Sequence, residues 1–96
     1  MADTNLQFMG VIYVINKNPY VPESIVGVVV KTSAINLLSC GYIETVNTVV
    51  HNGNDSEYSI DFNFNNNINR WFYESESQRD YDYNLIINKI GKIKIL

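Results

Sequence analysis

The side chains that could take part in chemistry concentrate in one stretch, residues 73–84 (YESESQRDYDYN). Its functional groups are four carboxylates, three tyrosines and one arginine: Glu74, Glu76, Asp80, Asp82, Tyr73, Tyr81, Tyr83 and Arg79. Paired carboxylates can act as general acid and base, but a glycosidase of that kind needs a cleft that so short a chain rarely builds. Acidic groups beside tyrosines also suit a basic protein partner, because aromatic rings give a large contact area. A solvated loop is the third interpretation.

The rest of the sequence offers little support for catalysis or for a bound metal. The single histidine, His51, adjoins the sequence Asn52-Gly53, where we expect a solvent-exposed turn. The single cysteine, Cys40, excludes an intramolecular disulfide and a cysteine-rich zinc site, and its apolar neighbours predict a small buried side chain. The five glycines are too scattered for a phosphate-binding loop. We therefore predict a protein that is not an enzyme and has no cofactor.

Composition indicates one small domain that spans residues 1–96. The chain is 46% hydrophobic and 18% charged, which is enough apolar material for one compact core. A domain of this size is only marginally stable, so a homo-oligomer is a ready way to bury more surface. Fourteen Asn, twelve Ile and seven Tyr against two Ala are typical of a genome rich in A and T, such as that of a virus, a phage or a low-GC bacterium.

Charge is distributed unevenly along the chain. The formal net charge of −3 divides into −1 for residues 1–54, −5 for residues 55–82 and +3 for residues 83–96. Such polarity can steer a partner or support head-to-tail self-contact. The start of the chain lacks the basic region of a signal peptide, and the longest apolar run covers only residues 25–30. We expect a soluble, cytoplasmic protein that does not enter a membrane.

The pattern of apolar residues predicts a mainly β or α+β protein, a small antiparallel barrel or sandwich of about five to six strands. Strands are expected over residues 6–15, 24–32, 42–51, 57–64, 68–73 and 92–96, with a short helical turn capped by Ser33 over residues 33–40. In the strand at 57–64, alternating polar residues from Glu57 to Asn63 are expected to face water. That alternation favours antiparallel pairing.

Residues 78–90 fit two secondary structures. As a helix, the segment has Ser77 as its N-cap, an apolar stripe from Tyr83 to Ile90 and Gly91 as the residue that ends it. As a strand, it alternates tyrosine and aliphatic residues with Asp and Asn, which disfavour helix interiors. Cap, stripe and stop together favour one short C-terminal helix.

These observations favour a small non-enzymatic binding protein, viral or phage-encoded, that inhibits or modulates a host macromolecule. The chain resembles phage inhibitors of host defence in its size, acidity and lack of motifs. Its partner is expected to be a protein with a basic surface. The predicted binding residues are Glu74, Glu76, Asp80, Asp82, Tyr81 and Tyr83, with Trp71 as an anchor.

Three other functions remain open from the sequence. Strand edges and the lysine-bearing end of the chain suit an oligomeric virion component. An oligomer with an aromatic pocket would suit a sponge for a small molecule. A β-barrel that binds single-stranded nucleic acid has the aromatic residues it needs. Nucleic acid is nevertheless an unlikely partner, because seven Lys and Arg in a chain of charge −3 give few phosphate contacts.

Overall fold

The fold is α+β, with two three-stranded antiparallel sheets and one C-terminal helix. The computed structural model describes residues 5–10, 12–23, 25, 32–50 and 55–95. The mainly β prediction is confirmed. The described strands do not form a single barrel of five or six strands, because they divide into two separate sheets. No helix in the described part of the chain is long and apolar enough to cross a membrane.

The first sheet consists of three short strands in sequence order. These are β1 (Leu6–Phe8), β2 (Tyr13–Asn16) and β3 (Ala34–Asn36). The prediction of one strand over residues 6–15 is wrong, because the chain reverses between Phe8 and Tyr13. Gly10 has a φ of 99° in this turn, a conformation that glycine adopts without strain. The strand predicted over residues 24–32 lies, apart from Ile25 and Thr32, outside the described residues.

A short 3₁₀ helix, Leu37–Ser39, connects the two sheets. The predicted helical turn over residues 33–40 is correct only for this part, since residues 34–36 form β3. The cap is Asn36 and not Ser33: the Asn36 side-chain oxygen accepts a hydrogen bond of 3.1 Å from the Leu38 amide. Asn is a preferred capping residue because its short side chain reaches the free amides of the first turn.

The second sheet is a three-stranded meander. Its strands are β4 (Tyr42–Val50), β5 (Asp55–Asn63) and β6 (Ile68–Tyr73), with β5 in the centre. The strands predicted here are confirmed, and Val50 pairs with Asp55 beside the expected hairpin turn. The turn itself, with His51, lies outside the described residues.

One prediction about β5 is wrong, because its polar side chains do not all face water. Ser59, Asp61 and Asn63 are buried, with 2%, 2% and 5% of their surface exposed. As the central strand, β5 has β4 and β6 on either side, and longer side chains from both strands can cover its short polar residues. Arg70 of β6 lies directly opposite Asp61 and forms an ion pair with it.

The helix, α1 (Glu76–Ile95), confirms the helical interpretation and is longer than predicted. It begins two residues earlier, because the cap is Ser75 and not Ser77: the Ser75 hydroxyl accepts a hydrogen bond of 3.2 Å from the Gln78 amide. Gly91 lies inside the helix, so the predicted stop is wrong. Residues 92–95, predicted as a strand, continue the helix. One exposed glycine costs a helix only about 1 kcal/mol, which twenty residues can absorb.

The core lies where α1 and the first sheet pack against the second sheet. Ile60 and Phe62 of β5 are fully buried, and Trp71 and Tyr73 of β6 nearly so. The remaining buried apolar residues come from the other elements: Leu6, Val14, Ile35, Leu37 and Ile86. The Lys89 ammonium lies 5.3 Å from the centre of the Phe8 ring, which links α1 to β1.

Candidate binding surface at the start of the helix

A buried arginine organises the segment that the sequence singles out. The Arg79 side chain, one turn into α1, is only 4% exposed. Its Nη1 donates hydrogen bonds to the Val46 carbonyl oxygen at 2.9 Å and to the Asn47 Oδ1 at 2.7 Å. The guanidinium carbon also lies 5.7 Å from the centre of the Tyr58 ring. These contacts fix the start of α1 against the middle of β4.

Two of the predicted acidic residues surround this arginine and remain accessible. Arg79 Nε donates to Asp80 Oδ1 at 2.8 Å, and Nη2 lies 3.5 Å from Glu76 Oε2. The Asn47 amide donates to the same Glu76 oxygen at 3.2 Å. Both carboxylate side chains are 53% exposed. Arg79 therefore holds them in position and cancels part of their charge, while their outer faces meet solvent.

Glu74 and Tyr81 complete the exposed set. Glu74 lies just before the helix, is exposed, and forms no ion pair with any residue that the structure describes. Tyr81 is 45% exposed. We call Glu74, Glu76, Asp80 and Tyr81 the acidic surface.

The other three predicted binding residues are buried or half-buried. Asp82 is 0% exposed and Trp71 5%, so the expectation that Asp82 is exposed is wrong. The Trp71 indole donates a hydrogen bond of 3.0 Å to the Ser33 hydroxyl. Tyr83 is half-buried, and its hydroxyl donates a bond of 3.4 Å to the Ile43 carbonyl oxygen. Neighbouring positions of a helix face different directions, which is why Asp80 and Tyr81 reach solvent and Asp82 does not.

Asp82 instead lies beside a buried tyrosine. Burial, followed by the charge and hydrogen bonding of Asp82, raises the pKa of Tyr73 well above its usual range. Tyr73 stays protonated at neutral pH and acts as a core residue, not as part of an acid–base pair.

Sequence patterns do not predict the second polar cluster, which lies on β5 and β6. Arg70 donates two hydrogen bonds of 2.8 Å to the Asp61 carboxylate, and the Ser59 hydroxyl lies 3.2 Å from one of its oxygens. The bond to Asp61 is the main reason that the pKa of Arg70 is raised. The predicted strands, which leave a loop at residues 65–67, would place Asp61 opposite Trp71. The loop is one residue longer, with Asn63 opposite Ile68, so Asp61 lies opposite Arg70. The cluster satisfies a buried charge, and its contacts are those of a structural ion pair.

An apolar groove of about 280 Å³ lies between the second half of α1 and the start of β4. Its lining comes from the 3₁₀ helix, β4 and α1: Leu37, Leu38, Cys40, Gly41, Tyr42, Ile43, Ile87 and Ile90. Burial raises the pKa of the Cys40 thiol, which lies 3.7 Å from the Asn36 carbonyl oxygen as a weak donor. That thiol is therefore a poor nucleophile at neutral pH.

The geometry bears on the other functions considered above. The described residues hold no group of three or more His, Cys, Asp or Glu side chains that could bind a metal ion. Phe62, Trp71 and Tyr73 are in the core, so they are not available to stack on nucleic-acid bases. Comparisons with protein families, with curated proteins and with solved structures found no match to this chain.

Proposed function

We propose that this protein is a non-enzymatic binding protein that recognises a basic surface of a protein partner through the acidic surface. The observation that carries the proposal is the way Arg79 holds Glu76 and Asp80 half-exposed at the start of α1. Carboxylates that are fixed in advance lose little entropy on binding. Tyr81 adds an exposed aromatic ring, a side chain enriched at protein interfaces.

The same proposal includes inhibition or modulation of a host macromolecule by a virus or phage. Support comes from the composition, rich in Asn, Ile and Tyr, and from the acidity of the 96-residue chain. An acidic surface can compete with nucleic acid for a basic site, because carboxylates offer the same sign of charge as phosphates. The protein would then inhibit its partner by occupying the basic site, which needs no catalytic residue.

Glu74 is the best position at which to test the proposal. Glu76 contacts Arg79 and Asn47, so reversing its charge would also disturb the fold. Glu74 makes no such contact, and Glu74→Lys should change binding without changing stability. Glu23→Lys is the matched control, since Glu23 is an exposed acidic residue outside the acidic surface, whereas Glu44 lies opposite buried Asp61.

The experiment compares partner capture by the three proteins. Immobilised wild type, Glu74→Lys and Glu23→Lys are exposed to an extract of the host, and mass spectrometry identifies the captured proteins. We expect a basic protein to be captured by wild type and by Glu23→Lys, and much less by Glu74→Lys. Association should also slow at high salt, because exposed charges act mainly on the rate of encounter. Equal capture by all three proteins would refute the role of the acidic surface.

A further inference from the structure

The exposed apolar residues of the groove indicate that binding extends beyond the acidic surface. Leu38 and Tyr42 are each 60% exposed and Ile87 is 39% exposed, although all three line one concavity. Exposed apolar side chains that cluster in a groove are typical of interaction sites. The volume of about 280 Å³ lies just below the range of about 300–1,000 Å³ for small-molecule pockets, so it suits one or two partner side chains.

Two residues of the acidic surface and two of the groove lie on one stripe of α1. Glu76, Asp80, Tyr83, Ile87 and Ile90 follow one another at spacings of four, three, four and three residues. Such spacing places side chains along one side of a helix. The stripe is acidic in the first turns and apolar further along, and Tyr83 contacts β4 between the two parts. A ligand lying along it would meet carboxylates first and the groove next.

We propose that the groove is the apolar half of the partner site and binds a protein segment that combines a basic side chain with a bulky apolar one. This inference rests on the proposed function, from which it takes the basic character of the partner. Asp80 and Ile87 are seven residues apart, which corresponds to about 10 Å along the helix. An extended segment covers that distance in about three residues. The expected motif is Lys or Arg, then Leu, Ile, Phe, Met or Trp about three positions away.

Peptide selection tests the motif without knowledge of the natural partner. A displayed library of random twelve-residue peptides is selected against the immobilised full-length chain. We expect enriched sequences to contain both elements at this spacing. The strongest peptide is then synthesised with a fluorescent label, and its affinity is measured by anisotropy at low and high salt.

Three variants separate the two halves of the site. Ile87→Glu should weaken binding of the peptide at least tenfold, because it puts a charge in the groove. Asp80→Asn should weaken binding about threefold and reduce its salt dependence. Asn88→Glu is the control: it adds the same charge one residue from Ile87, on the exposed side of the helix and outside the stripe. It should bind at least as tightly as wild type, and the helical content and melting temperature of each variant verify the fold.

Each other outcome overturns the inference in a recognisable way. If the selected peptides are purely basic and Ile87→Glu does not change their affinity, the groove is not part of the partner site, although the acidic surface still is. If the selected peptides are purely apolar and Asp80→Asn does not change their affinity, the combined motif is refuted, and the result also counts against the proposed function. Self-association that Ile87→Glu abolishes, seen by light scattering, would identify a second copy of the chain as the occupant. A selection with no enrichment would refute the docking site.

Discussion

Removing the buried arginine should destabilise the fold and disorder the acidic surface together. In Arg79→Met, the methionine keeps an apolar stem of similar length against Tyr58 but has no hydrogen-bond donor. The Val46 carbonyl and the Asn47 side chain then each lose a short bond from Arg79. Glu76 and Asp80 lose the cation that holds them, so they become more mobile.

The size of the effect follows from the exposure of the partners. Hydrogen bonds with a charged donor contribute about 1.5–3 kcal/mol each, so the two bonds to β4 account for about 3–6 kcal/mol. The ion pairs to half-exposed carboxylates add at most about 1 kcal/mol each. Removing a guanidinium that was costly to bury offsets part of this loss. We expect a net decrease of about 3 kcal/mol in the free energy of unfolding, which lowers the Tm of a domain of this size by about 15 °C.

Urea unfolding measures this loss with two independent signals. Circular dichroism at 222 nm follows α1, and the fluorescence of Trp71, the one tryptophan, follows the core. Asn88→Met is the control, because it introduces the same residue at an exposed position of the same helix. Its stability should stay within about 0.5 kcal/mol of wild type. A similarly small change in Arg79→Met would refute the argument that Arg79 anchors the helix to β4.

Three further predictions concern the polar core and the helix. Arg70→Met should lower the free energy of unfolding, measured with a chemical denaturant, by about 3–5 kcal/mol, because buried Asp61 loses its cation even though Arg70 is exposed. Adding Asp61→Asn to this variant should recover part of the lost stability. The pKa of Tyr73 is raised in the folded state, so the free energy of unfolding should fall above about pH 10, where tyrosine in the unfolded chain ionises. The expected fall is up to about 1.4 kcal/mol per pH unit, and Tyr73→Phe should remove this contribution. Equal pH slopes of stability for the two proteins would contradict this prediction. Gly91→Ala should stabilise the protein by about 1 kcal/mol, because alanine favours the helix more than glycine does and no atom lies within 4 Å of the added methyl group. A lower Tm would mean that the helix ends at Gly91.

Much of the candidate surface could be predicted from residue types, since acidic residues beside a capped helix tend to lie at its exposed start. The misplaced members have specific causes. Asp82 is one position from the exposed Tyr81, and only the rotation of the helix against β6 decides which of the two is buried. The sequence does not distinguish Arg79 from the charges around it, because its partners on β4 are more than thirty residues away.

Local signals in the sequence are enough to predict the three strands of the second sheet and the presence of a helix in the last quarter of the chain. Alternating aromatic and β-branched residues encode strands, and a serine cap with an apolar stripe encodes a helix. Tertiary structure decided what depends on contacts between distant segments. These are the division into two sheets, the burial of Asp61 beside Arg70, and the extension of α1 through Gly91. The contact of α1 with β4 is a further result of the tertiary structure: it positions Arg79, which holds Glu76 and Asp80, and it forms the apolar groove.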